Sequence, residues 1–245
     1  MASLVLTNVK TYLGEYDISG YSNSVMLDYA AAALKDTRMG HETEINKGGA
    51  KSVNFQIGGF ADPATDGMEA IAFNKIGTAN IPLTCSPHGA PVGDVAYFFK
   101  ALKASMKTFG GWGQLMPFSG NAVGGEQAAL VRGKVFVAAS TPKTATSTSG
   151  VIQLGAVTAA QRVYAALHVL DPVSGTTPTL DVTVKSDDAS GFASPTTRLT
   201  FDQATGKTSQ LLSAAGAITD THWRVDYTIG GTGPSFPFIV VVGIV

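Results

Sequence analysis

The sequence predicts a mainly β protein in which one α-helix flanks the strands of the first part and a second antiparallel β-sandwich follows. Apolar and polar residues alternate with period two in many short runs, as they do in strands that bury one face. Small clusters of turn-forming residues, such as 187–191 and 230–234, separate these runs. Only one stretch, which follows Asp94, has the spacing of an amphipathic helix.

The first part of the chain, residues 1–138, contains five segments with strand-like patterns. The clearest is 52–57, where Val53, Phe55 and Ile57 alternate with polar residues. The predicted strands are 12–18, 24–29, 52–57, 68–73 and 134–137.

The predicted helix lies between Asp94, a suitable N-cap, and Gly110, which would end it. Its apolar residues recur at spacings of three and four: Val95, Phe98, Phe99, Leu102 and Met106. We expect this stripe to pack against a sheet and Lys100, Lys103 and Lys107 to lie on the solvated face.

The segment 30–50 is the richest charge cluster of an otherwise charge-poor chain. It is predicted as a loop of about twenty residues, and loops of this length in compact domains are uncommon and often functional. One interpretation is a mobile surface loop, and the other is an arm that contacts a neighbouring subunit. The candidate contact residues are Lys35, Asp36, Arg38, His41, Glu42, Glu44 and Lys47.

A domain boundary is predicted at 139–150, where the residues are small, polar and aperiodic. This linker would join a first domain, 1–138, to a C-terminal sandwich of jelly-roll or immunoglobulin-like type, 151–245. Residues 236–245 form the longest apolar run, which is about half the length needed for a membrane-spanning helix. We interpret this run as a buried closing strand and expect no membrane partner.

Composition excludes several classes of function. The chain has 17 basic and 18 acidic residues, so no net field attracts nucleic acid or an anionic membrane. Cys85 is the only cysteine, and therefore no intrachain disulfide is possible. The 14% of charged residues and 44% of hydrophobic residues fit a subunit whose surface is covered by neighbours.

The sequence predicts a protein that is not an enzyme, with no catalytic residue, no cofactor and no metal site. The four histidines lack metal-ligand spacing, and no nucleophile elbow is present. A site assembled only by the fold, from His222, Asp226 and a serine, stays open at this point because such triads are set by geometry.

Two stretches carry a resemblance: Asp17-Ile-Ser-Gly-Tyr-Ser-Asn23, followed by an apolar strand, and Val53-Asn-Phe-Gln-Ile-Gly-Gly-Phe60. In these stretches and in the order of its elements, the segment of residues 1–140 resembles the major tail tube proteins of long-tailed, siphovirus-type bacteriophages. The resemblance implies a tail-tube-type β-sandwich or barrel with one helix, whose subunits form hexameric rings that stack into a tube for DNA. Residues 30–50 then occupy the place of the loop that reaches the adjacent ring, and 151–245 that of an external decoration.

The same resemblance implies the partners and the location. The chain would bind copies of itself and other tail proteins, namely the tape measure, terminator and tip proteins. It would belong to the virion tail and assemble in the cytoplasm of a bacterial host.

The alternative from another class is a capsid-decoration or tail-fibre module that recognises carbohydrate through its sandwich. Trp112, Trp223 and Tyr227 are candidates for a sugar platform, although their strand alternation favours core packing for Trp223 and Tyr227. The state of assembly separates the two hypotheses, since a tube subunit forms rings or filaments.

Overall fold

The computed structural model describes residues 5–64, 67–125 and 130–245. These residues form one α-helix, α1 (Met68–Lys75), and sixteen strands. The predicted mainly β fold with one helix and a second sheet is confirmed. The strands in chain order are β1 (Lys10–Leu13), β2 (Tyr16–Asp17), β3 (Ser22–Lys35), β4 (Asn46–Phe60), β5 (Ile81–Ser86), β6 (Val95–Thr108), β7 (Pro117–Gly124), β8 (Val131–Val137), β9 (Ser147–Thr148), β10 (Ile152–Gln153), β11 (Arg162–Val169), β12 (Ser174–Asp187), β13 (Thr196–Thr200), β14 (Thr208–Ala215), β15 (His222–Ser235) and β16 (Phe238–Ile244).

The chain divides into two compact units. Unit 1 comprises Met1–Gly20, Ile81–Lys100 and Val131–Val245, and unit 2 comprises Tyr21–Asn80 and Ala101–Leu130. The strand β6 contributes its first six residues to unit 1 and the rest to unit 2.

Unit 2 contains an antiparallel sheet with the order β3-β4-β7-β6. One row of paired residues crosses it from Leu27 through Phe55 and Ala122 to Lys103. Phe55 and Ala122 are buried, so this face is the core side. Alternate residues of a strand point to opposite faces, so the opposite face carries Gln56 and Asn121 together with the half-exposed Met26.

Unit 1 contains two sheets that pack face to face. The first has the order β14-β11-β16-β8-β6-β5-β1-β2, and the second has the order β10-β15-β12-β13, with β9 also paired to β15. Leu167 from the first sheet and Val184 and Trp223 from the second belong to one hydrophobic cluster. Inward-facing alternate residues of both sheets therefore fill one core, as in a β-sandwich.

The closing strand was predicted as buried, and this is confirmed. Every residue of β16 except Ile244 is buried, and the strand pairs with β11 on one side and β8 on the other. A run of residues that is apolar on both faces requires neighbours on both edges and cover on both sides.

The predicted helix after Asp94 is wrong, because these residues form the strand β6. Phe98 and Phe99 are both fully buried although they point to opposite faces, which is possible only where a strand is covered on both sides. This doublet imitates helical spacing. Lys103, predicted on a solvated face, is buried on the core face of unit 2, and this burial lowers the pKa of its amine to about 8.

The predicted strand 68–73 is also wrong, because it lies within α1. Met68, Ile71 and Ala72 are its buried residues, at the i, i+3 and i+4 positions of one helix face. Gly77 follows the helix with a φ of 77°. That left-handed conformation is the usual way to end a helix and favours glycine.

The compact units differ from the predicted division at 139–150. The strand β8, expected in a first domain, pairs with β16, so residues on both sides of the predicted linker share one sheet. The segment 139–150 belongs to unit 1 and is hydrogen-bonded to its other strands: the Lys143 N–H donates to the Phe236 carbonyl at 2.9 Å, and the Ser149 N–H donates to the Val225 carbonyl at 2.7 Å. Small polar residues thus lie along a sheet edge here.

Candidate functional site: a projecting β-hairpin

The residues 28–52, at the outer ends of β3 and β4, form a hairpin that we call the arm. In this segment no side chain is buried, and only Asp36, Thr37 and Gly49 are partly covered. Among the described residues β3 pairs only with β4, and the pairing of β4 with β7 begins at Asn54. The arm is therefore a two-stranded ribbon with solvent on both faces.

Backbone pairing rather than a core organises the arm. Ala31 pairs with Lys51 and Ala33 with Gly48, with a bulge between Ala31 and Ala33. Bulges strengthen the local twist of a ribbon. The loop predicted over 30–50 is thus mostly strand, and only 36–45 is a turn.

The turn at the tip is closed by hydrogen bonds. The Asp36 N–H donates to the Ile45 carbonyl at 2.8 Å, and the Ile45 N–H donates to the Thr37 hydroxyl at 2.9 Å. Gly40 has a φ of 92°, a conformation that other residues adopt only with strain. The sequence thus encodes the turn locally.

Five of the seven candidate contact residues form ion pairs on the arm. Lys47 lies 2.5 Å from Asp36, which Arg38 approaches to 3.8 Å, and Lys35 lies 3.6 Å from Glu44. The two others, His41 and Glu42, lie in the exposed turn. Exposed pairs contribute at most about 1 kcal/mol each, so they orient the tip more than they stabilise it.

The arm also exposes apolar side chains, which charge-based sequence reasoning missed. Met39 at the tip is fully exposed, and Leu34 and Tyr29 are about half exposed. The Lys51 amine lies 5.9 Å from the centre of the Tyr29 ring. The signal was present in the sequence, because Leu34, Met39 and Ile45 interrupt the charged residues.

The remaining candidate for chemistry, His222 with Asp226, is not assembled. The two residues lie four positions apart on β15, which is about 13 Å along a strand. Burial alone would raise the pKa of Asp226, but hydrogen bonds from Arg224 and Lys185 lower it. The ring of His222 contacts the Thr221 hydroxyl at 3.0 Å and the Asp188 carbonyl at 3.2 Å.

Within the described residues of the chain, no three His, Cys, Asp or Glu side chains are grouped as metal ligands. Cys85 is buried, and that burial raises the pKa of its thiol to about 11. The described residues also contain no helix with the length and hydropathy of a membrane span.

The three candidate sugar-platform residues are separated by burial. Trp223 is fully buried and donates its indole N–H to the Gly155 carbonyl at 3.0 Å, and Tyr227 is also buried. Core packing of these two residues, which strand alternation favours, is confirmed. Trp112 is fully exposed.

Comparisons with known proteins give structural likenesses only. No protein-family model matches the chain, and no curated protein matches it. A chain of the virion of a native gene transfer agent particle aligns with 50% of this chain and 95% of its own length, at 10% identity and a TM-score of 0.40.

Two further solved structures are similar at the same level. The sheath/tube terminator of an extracellular contractile injection system aligns with 53% of this chain and 97% of its own length, at 14% identity and a TM-score of 0.42. A chain of the phage p2 baseplate aligns with 96% of this chain and 98% of its own length, at 8% identity and a TM-score of 0.35. At such values these likenesses do not establish a family.

Proposed function

We propose that this protein is a structural subunit of a phage-type tail tube, not an enzyme, and that it joins copies of itself into stacked, hexameric rings. The observation that carries the proposal is the arm: residues 28–52 are ordered as a ribbon without burying one side chain. Two-stranded hairpins are marginally stable alone in water. An arm of this kind gains apolar contacts only from a partner.

The edges of the unit 2 sheet support contacts between copies within a ring. One edge is β3, which has fourteen residues and a single neighbour among the described strands. The other is the outer part of β6, where, among the residues that the structure describes, Gly77 and Thr78 hydrogen-bond to the backbone of Lys103. Different edges of neighbouring copies joining head to tail generate a closed ring when the rotation closes.

The polar face of the same sheet supports the passage of DNA through the tube. It contains a cavity of about 510 Å³ whose lining includes Ser24, Gln56, Ser119 and Asn121 and one charged residue, Lys107. Hydroxyl and amide groups with a single cation bind phosphate only weakly, so DNA could pass without being retained.

The further partners and the location of the protein follow from the tube role. Besides copies of itself, the protein would meet the tape measure, terminator and tip proteins of the tail. It would be assembled in the host cytoplasm and remain in the virion tail. The decoration role of 151–245 stays a prediction.

Replacing the tip, residues 36–45, by Asn-Gly tests the role of the arm. Lys35 and Asn46 are directly paired, so a two-residue turn can join them. We expect the shortened protein to keep its circular dichroism spectrum and melting temperature but to form no stacked tubes in negative-stain micrographs. The unmodified chain is the positive control, and tubes of normal length from the shortened chain would rule the role out.

The carbohydrate-binding alternative retains one observation, the fully exposed Trp112. With Trp223 and Tyr227 in the core, the sugar platform is reduced to one ring. A discrete monomer or trimer whose Trp112 fluorescence changes with glycans would favour this alternative over the tube.

A further inference from the structure

The turn between β6 and β7, residues 109–116, is a second exposed apolar feature of unit 2, and we call it the apolar loop. Phe109 is 78% exposed, Trp112 103% and Leu115 72%. The segment contains three glycines and one glutamine and no charged residue. Exposed apolar patches of this kind mark interaction sites more often than accidents of packing.

The apolar loop and the arm tip lie at opposite ends of the same sheet. The strand β4 runs from Asn46 at the tip to Phe60, and Phe60 pairs with Pro117, the residue after the loop. Fifteen residues of strand span about 50 Å. The two features therefore cannot touch each other within one copy.

The two features match in chemistry. Residues 35–47, the arm tip with its flanking strand ends, carry three charges of each sign. Five of these six residues form ion pairs with one another, and Met39 is fully exposed. The apolar loop has no charge with which to hold an anion, a cation or a membrane surface. The apolar loop is thus suited to an uncharged, apolar partner, and the exposed Met39 side chain offers one at the arm tip of every copy.

We propose that the arm tip of one copy docks on the apolar loop of the next copy along the tube axis, with Met39 against Trp112. This inference rests on the proposed tube function and assigns its axial contact. Because the two surfaces differ and lie at opposite ends, the contact repeats head to tail without closing, as a filament requires.

The small area of this contact predicts that a single contact is weak and that several contacts act together. One aromatic side chain buries about 150–250 Å², so the tip and the loop together bury far less than a stable interface needs. Two free copies should therefore bind weakly. Rings that make several such contacts at once should stack tightly, because the later contacts form at high effective concentration.

Cross-linking between two singly substituted full-length chains tests the pairing. Met39→Cys and Leu115→Cys proteins are mixed, allowed to assemble and treated with a short bis-maleimide. Cys85 gives little background because it is buried and its pKa is raised. We expect the mixture to give cross-linked dimers that contain one chain of each kind. Either protein alone should give no cross-linked dimer.

A second measurement adds Trp112→Ser to the Leu115→Cys chain of the cross-linking pair. Met39→Ser is made in the otherwise unmodified chain, because position 39 is already substituted in the cross-linking pair. We expect Trp112→Ser on the Leu115→Cys chain to lower the cross-linking yield about tenfold, a loss of about 1.4 kcal/mol. Val92→Ser, at an exposed apolar site of unit 1, is the matched control and should leave the yield unchanged. In micrographs Met39→Ser and Trp112→Ser should give rings that stack poorly.

The outcomes separate this inference from the tube function. Tubes without the mixed cross-link, or normal stacking by both serine variants, overturn the inference while the tube function stands. Absence of rings and tubes from the unmodified chain overturns both.

Discussion

The arm and the strand β16 place hydrogen-bonded strands in opposite environments. Within the described part of the chain, each strand of the arm has a neighbour on one edge only and solvent on both faces, whereas β16 has neighbours on both edges and is buried on both faces. Small and charged residues fill the arm, and Ile239, Val240 and Val241 fill β16. The buried strand β16 therefore stabilises the fold, whereas the arm keeps exposed side chains that a partner can contact.

The largest effect is expected from a charge placed in β16. Val240→Asp buries an unpaired carboxylate in the core, and we expect it to lower the free energy of unfolding by more than about 4 kcal/mol. The matched change on the arm, Ala31→Asp, should alter it by less than about 0.5 kcal/mol. Urea unfolding of unassembled protein measures both changes in the free energy of unfolding. Losses of similar size would show that the arm tolerates a new charge no better than β16 does.

The two tryptophans provide the next test. Trp223→Ala removes a fully buried side chain and its hydrogen bond to Gly155, and should cost about 3–5 kcal/mol. Trp112→Ala should leave the melting temperature nearly unchanged, since its side chain is fully exposed. A large loss from Trp112→Ala in unassembled protein would show that the apolar loop supports folding rather than contact.

A buried histidine predicts how the core of unit 1 responds to acid. His168 contacts the Thr84 hydroxyl at 2.7 Å and the Gly14 carbonyl at 2.6 Å, and burial lowers the pKa of its ring to about 4. Below about pH 6.5 this histidine binds a proton in the unfolded chain but not in the folded chain. The stability that neutral His168 contributes is therefore complete above about pH 6.5 and decreases toward pH 4. Complete loss of this contribution lowers the free energy of unfolding by about 3 kcal/mol.

Urea unfolding at pH 7.5, 6.5, 5 and 4 measures this dependence. His168→Gln should flatten the curve in that window relative to the unmodified chain, and His41→Gln on the arm should not. Equal slopes for the unmodified chain and His168→Gln would exclude the histidine as the cause.

The smallest effect is expected at the arm tip. Asp36→Asn removes the partner of Lys47 and Arg38, and the free energy of unfolding should change by less than about 1 kcal/mol because these pairs are exposed. Thermal melts at low and high salt measure it, and the difference should shrink with salt. A change above about 2 kcal/mol would mean that the tip belongs to the folding core.

The sequence predicts the half-buried strands and the apolar closing strand β16 well, but it predicts β6, which is also covered on both faces, badly. Leu180, Val182 and Val184 alternate with polar residues, and β12 was found from them. In β6 both Phe98 and Phe99 are buried, which removes alternation and imitates a helix. In α1 the short apolar set of Met68, Ile71 and Ala72 fits either element, and only the tertiary context decides.

The candidate site was located by its charge, but its form was not predicted. Long exposed strands leave no hydrophobic pattern, so the arm was interpreted as a loop. The apolar loop is not predicted for a related reason: the sequence pattern uses Gly110 as the end of a helix, whereas the structure has a strand there. The pairing of β8 with β16 depends on long-range register, which no local pattern carries.

That pairing sets the order in which the chain can fold during synthesis. All segments of unit 2 lie before residue 131, so its sheet can form while the rest is still on the ribosome. The first sheet of unit 1 must wait, because the gap between β8 and β11 is filled only when β16 has emerged. A nascent chain can therefore complete the arm and the apolar loop before the first sheet of unit 1 is able to close.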